Sequence, residues 1–471
     1  MMMPSLFQTA VAMTAVAVAA TSAAPTVKRF SALTRPLELA QGEVTNTYHK
    51  LAIPEGPIAV YRFEAEVVEK DADGNMVSVP TFDAYLHHHV VGSNHESYAS
   101  EQDKWAPMKP ANFSRSVGFG AGTECRGTPQ QFYFPYAFLT VEGENEWYAN
   151  VHVINTREMK PEDAHHCLEC PCTAEDDRSN GKVNGMAFVE ENCNAELRAE
   201  NNTACSPDTY HGGLRCCEEA EFCLEHEQLS ATLPKSTYYL RYTIEYANVV
   251  PENRALSLAS CCDATGDMTH HGNIEYDIPQ CDPEIHPGCI HTLSTSQRID
   301  SGDGSVFFHI GEAVAGDREI ELLYAVGHQH RGGMGIHLYH DKTGDLLCSS
   351  IPEYGTGHVA GDEDGYIVSM STCTFNPPLR LHSSDIVRVV SLFNNTLPHT
   401  GAMSLMYLAI ADANQALSSS VMAPAAGKGN TLMTALQIVG AVAVLSGLVI
   451  VAVRHVKKRR GYVPVTQPTD A

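Results

Sequence analysis

Apolar and polar residues alternate with a period of two along most of this chain. Between Ala59 and Val67 the second half reads Phe63-Glu64-Ala65-Glu66-Val67, one face greasy and the other charged. That is the spacing of a half-buried strand, whose successive side chains point to opposite faces. Phe82 to Val91, Phe132 to Phe138, Trp147 to Ile154 and Thr237 to Tyr246 are further strand segments, punctuated by turn residues such as Asp71-Ala-Asp-Gly-Asn75 and Gly118-Phe-Gly-Ala-Gly122. A second set comprises Ile274 to Ile278, Val306 to Ile310, Ile320 to Tyr324, Gly335 to Tyr339, Tyr366 to Met370, Ile386 to Val390 and Met403 to Ile410. Helical periodicity is scarce. The pattern predicts an all-β chain of two antiparallel β-sandwich domains, 24–250 and 251–417, each with sheets packed face to face.

Both ends break the pattern. Residues 1–23 are small and apolar and end in Thr21-Ser-Ala23, the form of a cleaved signal peptide. Residues 418–431 read as a stalk, and Leu432 to Val453 is a run of 22 residues without a charge, long enough for a transmembrane helix. The basic cluster Arg454-His-Val-Lys457-Lys458-Arg459-Arg460 follows, and the positive-inside rule keeps the tail, 454–471, cytoplasmic. The expectation is a type I single-pass membrane protein of the cell surface or secretory pathway, with a large outer portion.

Composition then narrows the function classes. The net charge is −25, and five of the basic residues sit in the tail, so the outer portion is more acidic still. Such a surface repels nucleic acid. Fifteen cysteines in a secreted context read as a disulfide framework with at least one thiol left over. Eight of them crowd into about 160–226, a Cys-rich insertion in the first sandwich. There His165-His-Cys167-x-x-Cys170 has zinc-ligand spacing, but oxidising surroundings favour disulfides. Cys348 and Cys373 flank a Gly-rich loop and are expected to pair. Asn112, Asn201 and Asn394 head glycosylation sequons. No Gly-x-Ser-x-Gly elbow or phosphate-binding loop is present.

Chemistry concentrates in Tyr324-Ala-Val-Gly-His328-Gln-His330-Arg-Gly-Gly333, read as strand, turn and strand in a hairpin. Residues i and i+2 of a strand face the same way, so His328 and His330 stand side by side at a spacing that suits zinc, copper, iron or nickel. In Leu86-His87-His88-His89, adjacent residues of a regular strand diverge; His87 and His88 can share an ion only at a strand end or a bulge. His152 lies inside apolar Val151-His-Val153, where an imidazole is costly without a partner; the bland alternative is a core histidine bonded to backbone. Met403 is by default core packing.

Taken in order, His-His, His, His-x-His and Met resemble the copper type II, ascorbate-dependent monooxygenases, the class of the peptidylglycine and dopamine hydroxylating enzymes. A closer resemblance, to the stress-up-regulated nodulin (nodulin nineteen) family of plants, rests on Tyr324 to Gly333, Cys348-Ser-Ser-Ile-Pro-Glu-Tyr-Gly-Thr-Gly357, Gly365 to Cys373, His399-Thr-Gly-Ala-Met403, Leu86-His-His88, Val151 to Arg157 and Gly212-Gly-Leu-Arg-Cys-Cys217. The resemblance to the enzymes implies two jelly-roll-like sandwiches holding one copper each across a solvent-filled cleft, two ions in all. One ion would sit on His87, His88 and His152, and the other, beside which hydroxylation occurs, on His328, His330 and Met403. Tyr407 and His399 would orient these rings, with Tyr407 counted in the reacting site, and ascorbate or another one-electron reductant would be the co-substrate. Val326 and Leu405 replace an arginine and an amide residue of the peptide-hydroxylating enzymes, so a peptide carboxylate has no anchor. The expected substrate is an uncharged small molecule. The alternative is a non-catalytic surface or binding protein that retains the scaffold.

Overall fold

A computed structural model describes residues 24–93, 114–140, 146–159, 182–183, 186–187, 234–259, 261–264, 276–278, 280–300, 305–308, 312–397 and 399–414. All of them belong to one compact unit, residues 1–421; a second unit, 422–471, lies outside the described residues. In the first half of the chain the main strands are β1 (Lys28–Leu33), β2 (Val44–Ala52), β3 (Ile58–Lys70), β4 (Ala84–Ser93), β5 (Ser114–Ala121), β6 (Tyr136–Leu139), β7 (Glu146–Asn155) and β8 (Lys235–Asn248). The short β9 (Arg254–Ala255) and β10 (Ser257–Leu258) carry the chain across to β11 (Ile290–Arg298), β12 (Glu319–Gln329), β13 (Gly333–His340), β14 (Leu346–Ser350), β15 (Thr372–His382), β16 (Ile386–Asn394) and β17 (Ser404–Asp412).

These strands build two sandwiches. In the first, an eight-stranded sheet with the path β1–β8–β3–β6–β9 faces a four-stranded sheet ordered β2–β7–β4–β5. In the second, β10–β17–β12–β15 faces β11–β16–β13–β14. Aromatic packing fills the first interior, where Phe119 stacks on Phe63 at 4.5 Å and meets Phe138 and Trp147. Gly327 shows how closely the second pair of sheets approaches. A Cβ there would fall 2.0 Å from Ile336 Cγ2.

The histidine-bearing strand β12 is buried along nearly its whole length. A strand with water on one side would show only half its residues buried. One face of β12 looks into its own sandwich, where Gln329 Nε2 donates to Ser391 Oγ at 2.8 Å. The other face lies against the first sandwich, with Tyr324 edge-on to Phe132 at 5.4 Å. The two sandwiches therefore share one continuous apolar core. Buried ion pairs fasten the contact. Glu363, 1 % exposed, accepts from the Thr81 N–H and pairs with Arg126; Glu321 pairs with Arg254 and Arg380 and accepts from the Tyr136 hydroxyl.

Three expectations are corrected. The fold class is all-β, but its C-terminal transmembrane helix has no counterpart: among the described residues no helix is long and apolar enough to cross a membrane. The run 432–453 lies outside the described residues, as do the signal segment 1–23, the stalk, the tail, Asn112, Asn201 and the Cys-rich insertion except for Lys182–Val183 and Met186–Ala187. The expected hairpin around Arg331 is an arch. The turn exists, with Gly333 N–H donating to the His330 carbonyl and Gly332 at φ 91°. However, β12 pairs with β15 and β17 while β13 pairs with β14 and β16, so the chain crosses between facing sheets. Alternation gives which face a residue takes and not which sheet the returning strand joins. Finally, a shared core stands where a solvent-filled cleft was expected. Cys348 and Cys373 do pair, and Cys261–Cys262 and Cys281–Cys289 are further disulfides. The free cysteine among the described residues is buried Cys125, its thiol pushed up to about 12 by burial.

Candidate metal centre

The first donor set is assembled by a β-bulge. On β4 and β7, Val151 pairs with His89 and His152 with His88, but Val153 pairs with Leu86, leaving His87 as the extra residue. A bulge turns two consecutive side chains toward one face. His87 and His88 thus meet His152, the three offering ring nitrogens within 4.8 Å of one another. The His87 ring stacks on His152 at 4.3 Å between centroids, and His88 stands nearly perpendicular to His152 at 5.0 Å. Asn150, two residues before His152 on β7, holds His88 through Oδ1 and Nε2 at 2.9 Å. His89 takes the opposite face and packs on Phe63.

On β12, His328 and His330 share a face with ring centroids 5.3 Å apart. This second pair reaches the first set, since His330 lies 4.4 Å from His87, edge to face. Five imidazoles from both sandwiches thus form one buried chain of rings, His88–His152–His87–His330–His328. Met403 is buried just before β17, and its carbonyl accepts from the His330 N–H at 3.3 Å. Since Gln329 pairs with Ser404 and His328 with Leu405, one further step of the register puts Met403 opposite His330, on the same face. Tyr407 pairs with Val326, and its hydroxyl reaches to 2.7 Å from where a Gly120 Cβ would be. His399 Nε2 donates to the Asn394 carbonyl at 2.8 Å. Asn394 itself is exposed at the end of β16.

Sequence reasoning missed Glu124. It sits in a single 3-10 turn, Thr123–Arg126, that wedges between the sandwiches directly after the Gly-rich segment. Its carboxylate is 2.7 Å from His328 Nδ1, and both groups are buried. A carboxylate only accepts, so Nδ1 carries a proton and donates it to Glu124. Burial alone would raise the Glu124 pKa; the charge of His328 and the hydrogen bonds from His328 and the Gly122 N–H outweigh it and hold the group below the ordinary carboxylate range. Gly122 leaves room for this contact. A Cβ there would lie 2.6 Å from the His87 carbonyl and 2.7 Å from His328 Cε1.

The donors suit a cation. Burial first, and the neighbouring imidazoles second, hold His87 and His152 well below the usual histidine pKa, so both rings are neutral, as ligation requires. Both nitrogens of His152 and Nε2 of His328 are buried with no hydrogen-bond partner among the described residues. A buried polar atom in that condition costs about 1–3 kcal/mol, which a bound cation would offset. Nitrogens around a common ion at about 2.0–2.1 Å lie about 3.3 Å apart in a tetrahedral set; tilting the rings closes the difference.

Comparison with known proteins adds one family. The sequence family described as stress up-regulated Nod 19 matches residues 26–413. No curated protein matches the sequence significantly. Among solved structures, the VP2 subviral particle of infectious bursal disease virus is 8 % identical over 84 % of this chain and 74 % of its own, with a TM-score of 0.18. The Gx strain of the same virus gives 7 %, 83 %, 75 % and 0.16. Superpositions this loose carry no argument.

Proposed function

The chain belongs to the stress up-regulated Nod 19 family, and we propose that it is a copper-binding protein whose buried imidazoles would hold a redox-active ion. The observation that carries this reading is the bulge at His87, which turns two adjacent histidines onto the face of His152. A regular strand would have separated them, and an apolar core has no use for three imidazoles in contact. Bound copper supplies one-electron redox chemistry, with ascorbate or another one-electron reductant as its partner. His87, His88, His152, His328 and His330 would be nitrogen donors, Met403 a thioether donor, and Glu124 would fix the tautomer of His328. Three disulfides among the described residues support an oxidising compartment, the secretory pathway or the cell exterior.

Two finer readings divide on turnover. A monooxygenase-like oxidoreductase, hydroxylating an uncharged small molecule beside His328, His330, Met403 and Tyr407, is favoured by the register that sets Met403 opposite His330. A non-catalytic binding protein is favoured by closure of the site, since His87, His152, His328 and His330 are each no more than 6 % exposed. The experiment is metal analysis of the purified chain followed by oxygen uptake under ascorbate. Copper with reductant-dependent uptake supports the enzyme, copper without uptake supports the binding protein, and a chain that takes up no copper refutes both.

A further inference from the structure

The resemblance to copper monooxygenases implies two separate ions, one per sandwich, yet the rings of the two sets touch. Two imidazoles bound to one ion at about 2.0–2.1 Å have centroids roughly 4.5–5.1 Å apart for ligand angles between square and tetrahedral. His88 and His152 fall in that window at 5.0 Å; His87 and His152 lie just short of it at 4.3 Å. His87 and His330, from different sandwiches, are separated by 4.4 Å. The ring of His330 thus touches the first set, although it stands outside the group of three whose nitrogens lie within 4.8 Å of one another and would have to swing toward the ion to complete a set of four.

We propose that His330 is a ligand of the same ion as His87, His88 and His152, so that a single four-imidazole centre spans both sandwiches. The inference rests on the copper-binding reading above and changes its stoichiometry and its consequence. Three donors come from β4 and β7 and the fourth from β12, so the ion is a clip across the interface. His330 is well placed for this. Its N–H is tied to the Met403 carbonyl, and the turn behind it closes through Gly333 onto the His330 carbonyl, which fixes the backbone from which the ring projects. His328 is turned away by its bond to Glu124 and stands as the next ring outward. Sequence order cannot show such sharing, because the two donor groups are separated by the whole Cys-rich insertion.

The test is titration of the full chain with Cu(II), read by affinity, by the number of imidazole nitrogens coupled to the electron spin, and by thermal melting with and without the metal. The wild-type protein is expected to bind one ion with four coupled nitrogens and to melt higher when loaded. His330→Asn is expected to lose one coupled nitrogen, to bind about 100-fold more weakly and to lose most of the metal-dependent rise in Tm, as is His152→Ala. If His152→Ala weakens binding while His330→Asn leaves affinity and nitrogen count unchanged, the shared centre is wrong and the copper reading survives. Two ions with separate three-nitrogen and two-nitrogen spectra overturn it in the same way. A wild-type chain that binds no copper overturns both. Should His330→Asn fail to fold, the wild-type count of four or three nitrogens decides by itself.

Discussion

Replacing His152 by leucine should stabilise the metal-free protein and destabilise the loaded one. The side chain is 1 % exposed, and both ring nitrogens are without hydrogen-bond partners among the described residues. At about 1–3 kcal/mol for each unsatisfied buried polar atom, the ring costs the apo fold roughly 2–6 kcal/mol. Leucine has nearly the volume of histidine and no polar atom, but it must pack against the polar rings of His87 and His88. Imperfect packing of a shape change costs about 1–3 kcal/mol, leaving a net gain of roughly 2 kcal/mol. With the metal the order reverses. At free metal 1,000-fold above Kd the wild type gains about 4 kcal/mol, and the variant, short of a ligand, gains little. Urea unfolding followed by fluorescence of fully buried Trp147, once with a chelator and once with saturating copper, reads both signs. A His152→Leu protein less stable than the wild type under chelator would mean that the ring is a satisfied core histidine, and the donor assignment would fall with it.

Acid should destabilise the apo protein. Burial lowers His49 to about 3 and His291 to about 4, so the unfolded chain protonates first and the stability present above pH 6.5 is lost on the way down to pH 4 and then 3; each group costs about 2 kcal/mol by pH 5, and a urea midpoint equal at pH 7.5 and pH 5 would refute this. Glu124→Ala removes the partner of a buried His328 and should cost about 3 kcal/mol in urea unfolding, whereas an effect below about 0.5 kcal/mol would mean the pair is idle. Gly122→Ala must push either the His87 backbone or the His328 ring, so copper affinity measured by competition titration should fall on the order of tenfold; unchanged affinity would place the site elsewhere. Converting Cys348 and Cys373, 25 residues apart, to serine should lower stability by about 3 kcal/mol through the loop released in the unfolded chain, read as a lower urea midpoint; no change would show that the loop is already constrained.

What the sequence reveals here is local, and what it hides is tertiary. The period-two pattern locates β3, β7, β8 and β12 because alternation is a property of the strand itself. His328 and His330 share a face for the same reason. The condition set on His87 and His88, a strand end or a bulge, is met by a bulge, but nothing in Leu86-His-His-His marks the position where pairing slips. Glu124 gave no signal at all. It is one acid after a glycine-rich stretch, and only the docking of its turn on the second sandwich brings it to His328. The arch at Arg331 and the closed interface were hidden for a related reason, since periodicity describes each strand's faces and says nothing about which partner covers them. Burial of β12 on both sides could be inferred from its apolar run, Leu322 to Val326, but not the identity of the covering surface.

The layout of β12 shows why the imidazoles gather at one end of the interface. Its ladder slips between Leu322 and Tyr324, and this irregularity resets the alternation so that Glu321, Tyr324, Val326, His328 and His330 all face the first sandwich. Their contacts there form a graded series. Glu321 meets Tyr136 and Arg254; Tyr324 meets Phe132; His328 meets Glu124; His330 meets His87. A buried carboxylate is thus matched by a cation, a phenol by an aromatic ring and one imidazole by an acid. The last position, His330, meets another imidazole, His87, with His152 behind it. Both ring nitrogens of His152 are buried there without a hydrogen-bond partner among the described residues, an arrangement that a cation would complete. On the copper-binding proposal, the electrostatic match that fastens the sandwiches elsewhere along β12 would, at this end, be supplied by the ion.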